Sequence, residues 1–247
     1  MSVPMNQTDS SIETPPAALA RDPVGDNGPW RRFRRKVREV GLPFALQSIV
    51  ERIPPRLFYI NYFIIYGLDL KRYAGAVETD PLIEVAGPEQ ATLLAQSGIP
   101  VAEIRRRLDS DARAYYRAEG ETLVGYAWFL PRNFPCDHFL TLEGLPHDLW
   151  SFDGWVNPAF RGDGHFNRLK GAGAADFAKD GFDRVLANVD ILNRNSRNAN
   201  RAIGSMEVGR GFIVILCGFY LVRLGKALHV GRWRNGRRLG ISLTCFE

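Results

Sequence analysis

Polar and apolar positions follow several distinct rhythms along this chain. Residues 1–28 hold few large apolar side chains and many Ser, Thr, Pro, Asp and Asn. Such a stretch buries too little surface to offset its ordering entropy, so it is expected to be disordered. Trp30, Phe33, Val37 and Val40 then recur at helical spacing, with Arg31, Arg32, Arg34, Arg35, Lys36 and Arg38 filling the other positions. Gly41 and Pro43 break this basic amphipathic helix. A second helical run, 44–53, stops at Pro54-Pro55. "LFYINYFIIYGL" (57–68) and "FIVILCGFYLV" (212–222) are continuous apolar runs. Each is about half the roughly 20 residues that a membrane-spanning helix needs, and both read as buried strands or packing segments.

From Pro81 the rhythm quickens. "PLIEVAGPEQATLLAQSG" predicts a short strand, a turn at Gly87-Pro88 and a helix. Residues 112–118 and 123–130 predict a hairpin closed by Glu119-Gly120. "FLTLEGL" and "LWSFDGWV" read as further strands. Residues 164–179 predict a helix with Phe166, Leu169, Gly173 and Phe177 on one face, ended by Gly181. "RVLANVDIL" predicts a strand, "NRNSRNANRAIG" a polar helix, and "EVGRGFIVILCGFYLVRLG" a strand or strand pair. Strands followed by a strand–helix–strand–helix–strand run imply an α/β or α+β sheet with helices on its faces.

Composition narrows the picture only a little. In 247 residues the apolar share is 45% and the formal net charge +5, which permits a sizeable core and favours no one partner class. Cys136, Cys217 and Cys245 are few and widely spaced, so neither a disulfide framework nor a metal site is expected. With no signal-peptide pattern at the start, the expected compartment is cytoplasmic.

The candidate chemistry lies in "NPAFRGDGHFNRL" (157–169). Two glycines in three positions, between a strand and a helix, suit a loop whose N–H groups and helix dipole hold a phosphate. Close packing of helix on strand is the competing reading. No Walker-type or dinucleotide-binding glycine pattern is present.

The order of motifs resembles the Gcn5-related N-acetyltransferase (GNAT) superfamily over about residues 82–224. Val156, Pro158, Arg161, Gly162, Gly164, Leu169, Gly181, Val189, Asn193, Ser196, Gly204 and Val208-Gly209 carry the resemblance, with the hairpin "AEGETLVGYAWF". The resemblance implies a mixed central sheet splayed between its fourth and fifth strands, with helices on both faces. It implies acetyl-CoA, or another acyl-CoA, as co-substrate and no metal. Trp155, Val156 and Asn157, at the end of the fourth strand (149–156), would pair with pantetheine amides. Arg161, Gly162, Asp163, Gly164, His165 and Phe166 would cradle the pyrophosphate, and Asn193, Ser196 and Arg197 would contact the cofactor beyond the fifth strand.

Two positions depart from the pattern. Phe166 stands where a small residue is usual, and Asn200 stands where many members carry a Tyr that protonates the leaving thiolate. Base candidates are Asp153, Glu143, His138 and His147. Acid candidates are Tyr220, preferred, with Tyr126 and Cys217. Strand alternation puts Asp153 with Trp155 on one face, and Phe152 with Gly154 on the other.

These expectations divide the chain into a tail (1–28), a basic helical extension (29–80), a GNAT-like domain (81–230) and a basic C-terminal tail (231–247). The implied function is N-acylation of a small amine, such as an amino sugar or amino acid, by direct attack on the thioester. The alternatives are a CoA-binding protein without catalysis and, third, a nucleic-acid module using the basic stretches. The extension has three readings: covering the cleft, homodimerising, or docking on an anionic membrane through residues 30–40.

Overall fold

A computed structural model describes residues 53–76, 80–137, 139–233 and 237–246. The basic stretch at 30–40 lies outside them, as does all but the last residue of the run at 44–53. Twelve strands are described: β1 (Phe58–Asp69), β2 (Ile83–Val85), β3 (Arg113–Glu119), β4 (Thr122–Pro131), β5 (Asn133–Pro135), β6 (Leu140–Glu143), β7 (Asp148–Val156), β8 (Arg184–Asp190), β9 (Met206–Leu216), β10 (Phe219–Leu224), β11 (Ala227–Arg232) and β12 (Leu239–Ser242). The main helices are α1 (Leu70–Ala76), α2 (Val101–Leu108), α3 (His165–Lys179) and α4 (Arg194–Ala202).

Nine strands form one mixed sheet in the order β11-β10-β9-β1-β8-β7-β4-β3-β2. A three-stranded sheet, β12-β6-β5, packs on one of its faces. Within the large sheet every pairing is antiparallel except β7 with β8, which α3 joins as a crossover.

That parallel pairing is short. It links Asp148 to Arg184, Leu149 to Val185 and Trp150 to Leu186, and stops there. Both strands continue, each held by its outer neighbour. β7 stays on β4 as far as Val156, opposite Gly125, and β8 stays on β1 as far as Asp190, opposite Phe63. The inner edges therefore part, leaving a V-shaped gap with a closed end at Trp150 and Leu186.

The two faces are covered differently. On one, α3 buries Leu169, Ala174 and Phe177 against Ala127, Phe129, Leu149 and Val185, with Leu70 and Tyr73 of α1 alongside. Gly173 permits this approach, since a Cβ there would lie 2.3 Å from the Phe129 ring. On the other, α2 buries Ile104 over Trp128 and Tyr126, and the small sheet buries Phe139, Leu140, Leu142 and Ile241 against Trp150, Leu186, Ile213 and Ile215.

The structure differs from the expected boundaries at both ends. The unit starts upstream of residue 81, because β1 runs through the middle of the large sheet and its core face carries Phe63 and Ile65. At the C-terminal end, residues 239–242 are a strand paired with β6, with Ile241 buried, where a basic tail was expected. The apolar run at 212–222 splits into β9 and β10 around Cys217 and Gly218, both with positive φ, 48° and 81°.

Candidate functional site

The glycine loop singled out in the sequence lies where β7 hands over to α3. Gly162 and Gly164 have φ of 107° and 75°, a backbone region that favours glycine, and Gly164 caps α3. The first-turn N–H groups of α3, at His165 and Phe166, have no intrahelical acceptors. Arg161 Nε donates to the Val156 carbonyl at 3.2 Å, tying the loop to the end of β7. Asp163 is exposed. His165 is buried, its Nδ1 3.2 Å from Arg117 Nη1, and so braces the helix start from beneath.

Phe166 finds its place through a glycine. A Cβ at Gly154 would meet the Phe166 ring at 2.5 Å, so the ring lies directly on the β7 backbone.

Asn157 is a structural brace. Its N–H donates to the Val124 carbonyl at 2.9 Å, its Nδ2 to the Leu123 carbonyl at 3.2 Å, and its Oδ1 accepts from Ala159 N at 3.1 Å. The end of β7 that has parted from β8 presents Trp155 and Val156, with the Trp155 side chain stacked on Tyr126. At the start of α4, Asn193 Oδ1 accepts from Ser196 N at 3.0 Å. Arg197 Nε is buried and has no hydrogen-bond partner among the described residues. A buried guanidinium donor without an acceptor suits an anion, and with the glycine loop it makes the residues present fit a phosphate-bearing cofactor.

The opposite face of the gap holds a cavity of about 790 Å³. Phe152 and Asp153 of β7, Asn188 and Asp190 of β8, Tyr59 and Asn61 of β1, and Glu103, Arg106 and Arg107 of α2 all reach it. A β-bulge turns Asp153 into this space. Trp128 pairs with Phe152 but Tyr126 with Trp155, so Asp153 and Gly154 together oppose Ala127. Asp153 adopts a φ of 48°, and Phe152, Asp153 and Trp155 all lie toward the cavity side. Simple alternation puts Phe152 on the other face; the bulge breaks the period.

Asp153 ion-pairs with Arg107 and accepts a hydrogen bond from the Tyr126 hydroxyl at 3.3 Å. Burial pushes the Tyr126 phenol up to about 12. Arg107 lies over the Trp128 and Phe152 rings, 5.5 and 5.6 Å from their centroids, and also bonds Glu103 at 2.8 Å. Hydrogen bonding from Arg106, and then from Arg107, holds the Glu103 carboxyl down at about 2 against opposing desolvation. Deeper in, Asn61 Nδ2 donates to the Tyr59 hydroxyl at 3.1 Å, which donates to Asp137 Oδ2 at 3.0 Å. Asn188 Nδ2 donates to Cys136 Sγ at 2.9 Å. The Oδ1 atoms of Asn61 and Asn188 are buried without partners among the described residues.

The other candidates lie elsewhere. Tyr220 is on β10, three strands from β8, with its ring 4.7 Å from Phe139 in the core. It is a packing aromatic, remote from the gap. Glu143 ends β6 in the small sheet, beside Gly240 and outside the cavity lining. His147 Nδ1 lies 3.1 Å from the Gly181 carbonyl, at the closed end of the gap. Cys217 is exposed in the β9–β10 turn, and His138 falls outside the described residues.

The charged residues that sequence reading missed are on α2. Val101, Ile104 and Leu108 mark its apolar stripe, and Glu103 and Arg107 its i,i+4 pair; that spacing was the available signal. Among the described residues no cluster suits a metal ion, and no helix is long and apolar enough to cross a membrane.

No family model and no curated protein matches this chain. Solved structures resemble its fold at low identity. A functionally unknown conserved protein from Staphylococcus epidermidis is 10% identical with a TM-score of 0.49, over 69% of this chain and 66% of its own. A protein from Novosphingobium aromaticivorans assigned to the GNAT acetyltransferases is 17% identical with a TM-score of 0.46, over 62% of this chain and 64% of its own. An aminoglycoside N-acetyltransferase in complex with CoA is 17% identical with a TM-score of 0.43, over 51% of this chain and 91% of its own. The chain thus spans just under two thirds of the first two.

Proposed function

We propose that this chain is an acyl-CoA-dependent N-acyltransferase acting on a small amine, with acetyl-CoA the simplest donor. One observation carries the reading. A gap between two parallel strands has a glycine loop at a helix start and, on the following helix, a buried Arg197 Nε without a partner among the described residues, with a carboxylate-lined cavity on the opposite face. A long ligand, phosphorylated at one end and reactive at the other, fits such a passage.

In this reading the loop N–H groups from Gly162 to Phe166 and the Arg197 side chain hold the phosphates. The inner edge of β7, unpaired beyond Trp150, takes the pantetheine amides as an added strand would. Its N–H groups near Val156 face the thioester oxygen and stabilise the charge that builds there. The N–H of Asn157 is already committed to Val124 and takes no part.

On the cavity side, Asp153 orients the amine and receives its proton, directly or through water, while Arg107 and Tyr126 fix the carboxylate. The orphan amide oxygens of Asn61 and Asn188 favour an acceptor bearing an ammonium or hydroxyls. Holding amine and thioester together supplies several kcal/mol of the acceleration.

Calorimetric titration with CoA, followed by thiol release from acetyl-CoA with an amine panel, tests this. Binding is expected in the micromolar range, with turnover on at least one amine. Replacing Asp153 with Asn should lower kcat and leave CoA binding intact. Binding without turnover on any amine would support the alternative of a non-catalytic CoA-binding protein, which the Arg107-engaged Asp153 and the Asn at position 200 favour. No binding at millimolar CoA would end both readings.

A further inference from the structure

Lys170 is an anomaly that the proposed chemistry leaves unused. It lies on α3 and is only 6% exposed. Among the described residues its one hydrogen bond is to Asn200 Oδ1 on α4, at 3.1 Å. Asn200 is fixed in turn by donating to the Ser196 carbonyl at 2.8 Å. The ammonium also lies 5.2 Å from the centre of the Phe166 ring. Two of its three donors thus have no acceptor among the described residues, which is costly for a buried cation.

Its location follows from its neighbours along α3. Phe166, one turn earlier, lies on Gly154 of β7. Gly173, almost one turn later, sits on the Phe129 ring, and Phe129 pairs with Ser151 of β7. Lys170 lies between them on the same face of α3, the face turned to the part of the sheet where β7 has lost β8. Asn200, its partner, belongs to the helix that follows β8. The Lys170–Asn200 bond therefore ties together the helices that leave the two arms of the gap. A thioester passing from the glycine loop to the cavity at Asp153 follows that stretch of β7.

From this geometry we infer that Lys170 is the catalytic acid of the transfer, donating a proton from Nζ to the departing sulfur. The inference rests on the acyltransferase reading. In the step, the acceptor nitrogen forms a bond to the acyl carbon and the C–S bond breaks with its electron pair on sulfur. A proton passes from Nζ to that sulfur, and the proton lost by the amine goes to Asp153 or water. The neutral Lys170 amine then recovers a proton from solvent.

The surroundings suit this role. Charged or titratable groups on the surrounding elements include His165 of α3, bound to Arg117; Arg197 of α4; Asp153 of β7, held on the other face by Arg107; Tyr73 of α1, bonded to the Asn167 carbonyl; and Tyr66 of β1, whose buried hydroxyl has no partner among the described residues. None of them offsets the loss of solvation, and burial alone pulls the Lys170 ammonium down to about 8. The working form is the ammonium. Activity should be full below that value and fall as pH rises through it.

The test uses the full chain and CoA itself. The thiol of bound CoA is titrated by its thiolate absorbance in wild type and in Lys170→Met, a substitution of similar length that removes the charge. A neighbouring ammonium favours the thiolate, so the bound thiol should titrate about one to three pH units higher in the variant. CoA affinity should change less than about threefold, and the melting temperature should show the variant folded. With an amine that turns over, kcat should drop about 100-fold. Asn200→Asp, which adds a carboxylate beside the ammonium, should move the alkaline fall in kcat to higher pH, a shift that a merely structural lysine would not produce. CoA binding with an unmoved thiol titration overturns the role of Lys170 and leaves the acyltransferase reading standing. Failure of the wild type to bind CoA overturns both.

Discussion

The two ends of the β7–β8 pair are built on opposite principles. At the closed end everything is satisfied. Asp148, 2% exposed, takes Arg184 in a two-pronged bond at 2.8 and 2.9 Å, and also accepts from Leu145 N at 2.8 Å. Trp150 is fully buried and donates from Nε1 to the Arg132 carbonyl at 2.9 Å. At the open end, six residues along β7, satisfaction gives way to vacant capacity: two left-handed glycines, a free helix start, and a buried Arg197 donor with no acceptor among the described residues. The closed end fixes the angle of the two arms. The open end keeps polar groups unspent, and a bound phosphate is the explanation that the proposed function supplies for them.

Breaking the closed end should have the largest effect. Arg184→Met leaves the Asp148 carboxylate buried without its guanidinium. Because Arg184 itself is 36% exposed, the loss is placed at the lower end of the range for buried pairs, about 3 kcal/mol. Urea denaturation measures it. A loss below about 1 kcal/mol would mean that the neighbouring apolar pairs, Leu149 with Val185 and Trp150 with Leu186, hold the apex unaided.

A change at the open end should reverse that pattern. At Gly164 a Cβ would meet nothing within 4 Å, so substitution acts through the backbone alone. Gly164→Val puts a β-branched residue at a φ of 75° and should lower CoA affinity at least tenfold, while its backbone strain costs about 1–3 kcal/mol of stability at most. Gly164→Asn, which accepts the left-handed region, should retain most of the affinity. Calorimetry separates these outcomes. Equal affinity in all three proteins would place the phosphates elsewhere.

The same contrast explains what could be read from the sequence. The open end was legible because its signals are local: paired glycines before a helix with Phe166, Leu169, Gly173 and Phe177 at helical spacing. The strands of the gap were legible as the short apolar-rich runs "LWSFDGWV" and "RVLANVDIL". The cavity was not, because it joins residues far apart in the chain. Arg107 meets Asp153 across 46 positions, and Tyr59 meets Asp137 across 78. The bulge at Asp153 depends on a mismatch with β4 that no single-strand pattern contains. Likewise, nothing local in "LFYINYFIIYGL" announces that β1 inserts between β8 and β9, and nothing in Tyr220 reveals its distance from the gap. Phe166 looked out of place in a glycine loop only until Gly154 was seen beneath it.

Asn157 stands at the border between the two ends and sharpens the comparison with the smallest effect. Sequence resemblance makes it a cofactor contact, whereas its hydrogen bonds make it a brace. If it is a brace, Asn157→Ala loses the bonds to Ala159 N and the Leu123 carbonyl and should cost about 1 kcal/mol of stability. CoA affinity should then change less than about threefold, because the loop keeps its second tether from Arg161 to the Val156 carbonyl. Denaturation and calorimetry on the same preparation decide it. Intact stability with a tenfold loss of affinity would show that the side chain leaves its brace to meet the ligand, and the rigid end of β7 would then stop one residue earlier, at Val156.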